Sequence, residues 1–258
     1  MKLLTLARDL QRRKARERTR KFVAEGVRSV ESLLDSTLPI TGILAAASLE
    51  TDIRGLAILA RAEQNNIPIL RVSDAEFASS ASTDTPQGVL AISDIPDTPL
   101  ANPGRVARYL VLDSLQDPGN VGTVIRSASA FGVTATICLP GTVDVWNAKV
   151  VRSAMGSLFS HSVVSLPVAG LRAFLQDFGV ECWAADTQGV SLGSLVAAQP
   201  ERLALVVSNE GAGLTPEAAE LATKRVSITM APGVESLNVA VATGILLHAL
   251  RREAADAR

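Results

Sequence analysis

Three short polar stretches in the second half of the chain carry the side chains best suited to chemistry. They read Asp117-Pro-Gly-Asn-Val-Gly-Thr-Val-Ile-Arg126, Ser208-Asn-Glu-Gly-Ala-Gly-Leu214 and Glu235-Ser-Leu-Asn-Val-Ala-Val-Ala242. Each lies at or near the end of a β-branched run. Among them Asn120, Arg126, Glu210, Ser236 and Asn238 offer amide, guanidinium, carboxylate and hydroxyl groups. Burying such groups without partners costs on the order of 1–3 kcal/mol each, so a core has no use for them there. Loops of this kind at strand ends build the ligand crevice of an open α/β sheet. Asp117 and Pro118 form a helix start signal, which by itself leaves Asn120 and Arg126 unexplained. Arg126 falls nearly two turns beyond Asn120, which predicts both roughly on one helical face. Gly211 and Gly213 flank a turn whose exposed backbone groups suit the edge of a small heterocycle. Glu210 is placed to pair with Arg126 or with an incoming chain terminus. Ser236 reads as the N-cap of the last helix.

Other chemistries find less support. No G-x-G-x-x-G follows a strand, which argues against a dinucleotide site. Cys138 and Cys182 stand apart, without a C-x-x-C or a nearby histidine. They read as two buried apolar thiols in a reducing cytosol. With only His161 and His248 in the sequence, a multi-histidine metal site is excluded and no metal is expected.

The elements that must hold these residues alternate between strand and helix. In the first part a basic helix precedes a short strand at 22–24, a helix at 26–34 and a strand at 40–44. A helix at 53–64, a strand at 67–72, a capped helix from Ser73 and a strand at 89–92 follow. This is an α/β unit assigned to residues 1–95. The stretch 96–106, within a run holding three prolines in twelve residues, has the composition of a linker. From 107 to 258 the pattern is strong βα alternation. Strands are predicted at 109–113, 134–139, 162–165, 180–185, 203–207 and 225–229, and helices at 120–131, 146–157, 170–178, 215–222 and 236–253. Continuous apolar strands separated by helices predict a parallel sheet covered on both faces.

At 258 residues, 47% hydrophobic and 20% charged, the chain has the composition of an ordinary globular protein, with an interior filled by Ala, Val and Leu because aromatics are only 3%. No apolar run approaches the roughly 18 residues of a membrane span, and the N-terminus does not read as a signal peptide, so a cytoplasmic location is expected. The net charge of −1 hides an asymmetry. Residues 1–30 hold ten Lys/Arg against three acids, while the rest holds fifteen against twenty-three. Arg12, Arg13, Lys14, Arg16, Arg18, Arg20 and Lys21 form a one-signed run that reads as lacking i,i+4 acids, which predicts phosphate contacts on an RNA partner. With just Phe22 and Phe77 as aromatics in residues 1–92, recognition by RNA shape is expected over base stacking.

The three stretches, in their order, together with Lys149-Val-Val-Arg-Ser-Ala-Met-Gly-Ser-Leu-Phe159, resemble the signature motifs of the SpoU (TrmH-like) branch of the SPOUT class, the knotted RNA ribose 2′-O-methyltransferases. The resemblance covers about residues 107–255. Phe22-Val-Ala-Glu-Gly-Val27 and Thr85-Pro-Gln-Gly-Val89 are similar to the ribosomal-protein-like substrate-binding domain that often precedes it. The resemblance implies an α/β fold with a trefoil knot in a parallel-sheet domain, S-adenosyl-L-methionine as cofactor, and a homodimer. By motif position Ser208, Gly211, Ile228 and Leu237 would contact the cofactor, and Ser208 departs from the glycine common in the family. Arg126, Asn120, Glu210, Ser236 and Asn238 would form the catalytic set, with Arg126 in the family's general-base role. A guanidinium with a pKa above about 12 stays protonated, so a cation that orients RNA phosphate and stabilises alkoxide is preferred here. The two-domain layout tilts the expected substrate toward large-subunit ribosomal RNA over transfer RNA. A non-catalytic RNA-binding or ribosome-assembly module and a small-molecule transferase are the competing readings.

Overall fold

The computed structural model describes residues 3–209 and 211–252. The chain divides into two compact units, one of residues 1–97 with 144–160 and one of 98–143 with 161–258.

In the first unit the basic segment forms two short helices, α1 (Leu3–Asp9) and α2 (Arg13–Thr19), rather than one. The carbonyls freed at the break, those of Leu10 and Gln11, accept from Arg16 Nη1 at 2.7 and 3.0 Å. Strand β1 (Lys21–Glu25), α3 (Val27–Leu34), β2 (Ile40–Ala46), α4 (Ile53–Gln64), β3 (Ile69–Val72), α5 (Asp74–Ala78) and β4 (Val89–Asp94) follow. The sheet runs β1-β4-β2-β3, with only β2 and β3 parallel. Two helix starts obey local chemistry: Asp52 accepts from the Gly55 amide, and Ser73 with Glu76 closes a capping box on α5.

The second unit opens with β5 (Ala107–Asp113), α6 (Pro118–Ala130) and β6 (Ala135–Cys138). The chain then contributes α7 (Ala148–Ser153) to the first unit before returning. The segment 144–160 is held there by named contacts. The Phe22 ring lies 4.6 Å from Trp146 and 5.7 Å from Phe159, and Arg16 Nε donates to Asp144 at 2.7 Å. Gly156, at φ +87°, presses on Ser32 so closely that a Cβ would sit 2.6 Å from its side chain. Thus the stretch 149–159, grouped by sequence with the second domain, folds with the first unit, because that unit supplies its aromatic and ionic partners.

Back in the second unit come β7 (Val163–Ser165), α8 (Val168–Phe178), β8 (Glu181–Ser191), α9 (Leu192–Leu195), β9 (Arg202–Ser208), α10 (Pro216–Leu221), β10 (Lys224–Ser227) and α11 (Val239–Leu250). The six strands are all parallel in the order β10-β8-β9-β5-β6-β7. Strand β5 is buried over its whole length, as the near-continuous apolar run Ala107–Asp113 requires for a sheet covered on both faces. Cys138 and Cys182 are both buried, and burial pushes the Cys182 thiol up to about 12. His161 is held near 4 by burial, with Thr136 Oγ1 2.8 Å from its Nε2. Buried Arg108 donates to the Leu250 carbonyl at the C-terminal end of α11 at 2.8 Å and to the Glu201 carbonyl just before β9 at 2.7 Å. No helix among the described residues is long and apolar enough to cross a membrane.

Candidate active site

The strand order reverses direction between β5 and β9, and in open parallel sheets the crevice lies beyond the carboxyl ends of the strands at such a switch. Here Asp113 pairs in register with Ser208, so the two motif-bearing loops leave the sheet side by side. Buried Asp113 pins the loop after β9: its carboxylate accepts from the Thr215 amide at 2.7 Å and the Thr215 hydroxyl at 3.2 Å. Asp117 caps α6 as its sequence indicates, accepting from the Asn120 amide at 2.7 Å, with Pro118 in the first turn. In the second loop the Asn209 carbonyl accepts from the Gly213 amide at 2.8 Å, and Gly213 takes φ +68°, a conformation open to glycine.

The first and third polar stretches meet directly. Asn238 Nδ2 donates to Asn120 Oδ1 at 3.1 Å while Asn238 Oδ1 accepts from the Ala240 amide at 3.0 Å. Asn238, not Ser236, therefore caps the last helix, which starts at Val239 rather than 236. Ser236 stays in the preceding loop and lines a cleft of about 220 Å³ at the ends of β8, β9 and β10. Ser208, Ile228 and Leu237 line the same cleft, together with Val207, Asn209, Leu214 and the inner face of α11. Gly211 is exposed and is not among the lining residues. Glu210 lies outside the described residues.

The family model described as the SpoU rRNA methylase family matches residues 107–248, more than half of the chain. The chain belongs to the SpoU rRNA methylase family. An MRM3-like substrate-binding domain matches residues 5–91. Among relatives, the Bacillus subtilis 23S rRNA (guanosine(2553)-2′-O)-methyltransferase RlmP is 33% identical, over 95% of this chain and 94% of its own length. The S-adenosylmethionine-bound rRNA methyltransferase of Sinorhizobium meliloti superposes with a TM-score of 0.83 at 30% identity, covering 97% of this chain and 94% of the other. The SpoU methyltransferase AviRb of Streptomyces viridochromogenes, also with its cofactor, gives 0.84 at 25% identity over 97% of each chain.

Within this SpoU protein the cleft fits an adenosine-bearing cofactor by its chemistry. Val207, Leu214, Ile228, Leu237 and Leu246 supply an apolar slot for a flat heterocycle, and neutral loop groups supply donors and acceptors at its edge. A Cβ on Gly213 would meet nothing within 4 Å, so the loop leaves open space there. Arg126 does not share a face with Asn120. Helical residues advance about 100° each, so six residues carry Arg126 about 120° away from the Asn120 direction. Its side chain is exposed and without a polar partner among the described residues. Sequence reasoning also missed part of the cleft wall, Ala185, Asp186 and Thr187, where a strand was expected to end. Among the described residues no group of three or more His, Cys, Asp or Glu could hold a metal ion.

The basic run, in the first unit, is mostly paired. Arg16 is buried, with Asp144 2.6 Å from Nη2 and two backbone carbonyls on Nη1, so it fastens the 144–160 segment and is no phosphate contact. Arg13 does have an i,i+4 acid, Glu17, at 2.7 Å. Arg12 pairs with Asp9, Arg20 with Asp97 at 3.8 Å, and Lys21 with Asp94. Lys14 and Arg18, four residues apart on α2, are exposed and have no anionic partner among the described residues.

Proposed function

We propose that this SpoU protein is an S-adenosyl-L-methionine-dependent RNA ribose 2′-O-methyltransferase whose substrate is large-subunit ribosomal RNA. The observation that carries the reading is the Asn238–Asn120 contact, in which Asn238 stands between the cleft-lining residues Leu237 and Val239, and which joins two of the three family motifs. The ribosomal substrate is supported by the relatives named above, two of them described as rRNA methyltransferases.

The cofactor supplies an electrophilic methyl group, so the protein's work is alignment and charge control. Ser208, Ile228 and Leu237 hold the cofactor in the cleft, with Gly211 in the adjoining loop, and Glu210 belongs to the catalytic set. Asn120, Ser236 and Asn238 orient the ribose by hydrogen bonds. Arg126 stays protonated, binds the RNA phosphate and stabilises charge that develops on the 2′-oxygen. The guanidinium is exposed and has no anionic partner among the described residues, which suits it to meet a phosphate. Lys14 and Arg18 are the contacts that α2 offers to RNA.

The working protein is a homodimer in the cytoplasm. Support for the dimer comes from α11, where Val241 and Ile245 are 53% and 40% exposed. They share a stripe with Asn238, so a copy docked there lies beside the site and within reach of Arg126. The C-terminal segment is threaded as a trefoil knot, supported by a chain that leaves the edge strand β10 and returns to pack α11 against α6. A crystal structure whose 228–238 segment runs outside the 208–214 loop would remove the knot.

Tritium transfer from labelled S-adenosylmethionine into unmodified ribosomal and transfer RNAs tests the function. Label is expected in 23S RNA, in a linkage resistant to alkaline cleavage, and Arg126→Ala is expected to lower the rate ~100-fold or more. Label confined to transfer RNA would overturn the substrate. No label despite cofactor binding would overturn the enzyme reading.

A further inference from the structure

The strand β8 is not one continuous pairing. Ala184 sits opposite Arg225, yet the next pair is Val190 with Val226, so residues 185–189 leave the ladder as a five-residue excursion against none on β10. Such irregularities bend a strand and re-aim side chains, and they cluster beside active sites. This one is built with care. Gly189 passes so close to β10 that a Cβ would lie 2.6 Å from the Arg225 backbone, and its carbonyl accepts from Ser227 Oγ at 2.9 Å. The excursion turns Ala185, Asp186 and Thr187 into the cleft wall.

Asp186 is the one side chain with a formal charge among the described residues that line the cleft. Its carboxylate is fixed on both oxygens: Oδ1 accepts from the Gln188 amide at 2.9 Å and Oδ2 from Arg225 Nη1 at 2.8 Å. An ionised carboxylate has about four acceptor sites, so these two bonds leave one free on each oxygen. Its side chain is 20% exposed, and that exposure opens beside the cleft.

We infer that Asp186 is a cofactor-binding residue that accepts hydrogen bonds from the ribose 2′- and 3′-hydroxyls of the adenosine half of S-adenosylmethionine. The inference rests on the cofactor reading of the cleft. A cationic ligand group is the poorer fit, because Arg225 already neutralises the carboxylate and would repel an ammonium. A vicinal diol needs acceptors only, and two parallel free acceptor sites on one rigid carboxylate match it. Acidic side chains read ribose hydroxyls in this manner in other adenosine-binding α/β sheets.

Calorimetry with S-adenosylmethionine and with 5′-methylthioadenosine, a nucleoside thioether lacking the amino-acid half, separates the possibilities. Asp186→Asn is expected to weaken both ligands by the same factor, ~10- to 100-fold. The wild-type chain offers a readout independent of any variant's folding. It is expected to bind 5′-methylthioadenosine ~10- to 100-fold more tightly than the 2′,3′-dideoxy analogue. Equal affinity for the two nucleosides, or a loss in Asp186→Asn confined to S-adenosylmethionine, overturns the assignment. Failure of the wild-type chain to bind either parent ligand would instead remove the cofactor reading together with it.

Discussion

At the scale of single residues, Asn238 carries two jobs on one amide. Its oxygen caps α11 and its nitrogen holds Asn120. The jobs separate by substitution. Asn238→Asp keeps the capping acceptor and loses the donor, whereas Asn238→Ala loses both. The alanine variant is expected to lose ~1 kcal/mol of stability, read as a melting temperature ~2–4 °C lower, and the aspartate variant to melt within a degree of the parent. Methyl transfer is expected to fall in both. Full activity in Asn238→Asp would mean that the amide contact to Asn120 has no part in the reaction. The sequence shows that a polar cap opens the last helix, but Ser236 and Asn238 are equally able caps two residues apart. The choice is made by where the apolar stripe of Val239, Thr243 and Leu246 meets the sheet, which is a tertiary fact.

At the scale of elements, nearly every strand and helix is legible because its signal is local: β-branched runs for the parallel strands, and Asp52, Ser73 and Asp117 as caps. What the sequence hides depends on distant partners. The α2 cations read as a free phosphate-binding face, yet Arg16 finds Asp144 128 residues away and Lys21 finds Asp94 73 residues away. The excursion at 185–189 is hidden for the same reason, since it exists only relative to β10. This sorting has a measurable consequence. Each protein cation that displaces counterions from RNA adds ~0.7–0.9 to the salt slope of binding. The double variant Lys14→Gln/Arg18→Gln is therefore expected to lower the slope of log K against log salt by ~1.4–1.8, and Arg16→Gln to leave the slope unchanged while lowering stability. Equal slopes for Lys14→Gln/Arg18→Gln and the parent would show that α2 does not touch the RNA.

At the scale of the whole molecule, charge and apolar exposure belong to different units, and each suits a different partner. The excess positive charge of residues 1–30 belongs to the first unit, while the second unit exposes apolar surface on α11. Val241 and Ile245 follow Asn238 at steps of three and four residues, so one stripe of α11 begins in the site and continues as exposed hydrocarbon. The helix is otherwise buried through Val239, Ala240, Thr243, Leu246, Leu247 and Leu250, which leaves this stripe as its one outward apolar face. A two-fold contact through such a face is self-complementary: the stripe of one copy meets that of the other, and both active sites come to the interface together. Sedimentation at micromolar concentration is expected to give a dimer for the wild type and a monomer for Val241→Asp/Ile245→Asp. The variant's melting temperature should stay close to that of the parent, because both positions are exposed within one chain. Its methyl transfer is expected to fall with the loss of the dimer if Arg126 serves the neighbouring copy. A wild-type monomer, or a double variant that stays dimeric, would place the association elsewhere or nowhere and leave each site to work with its own Arg126.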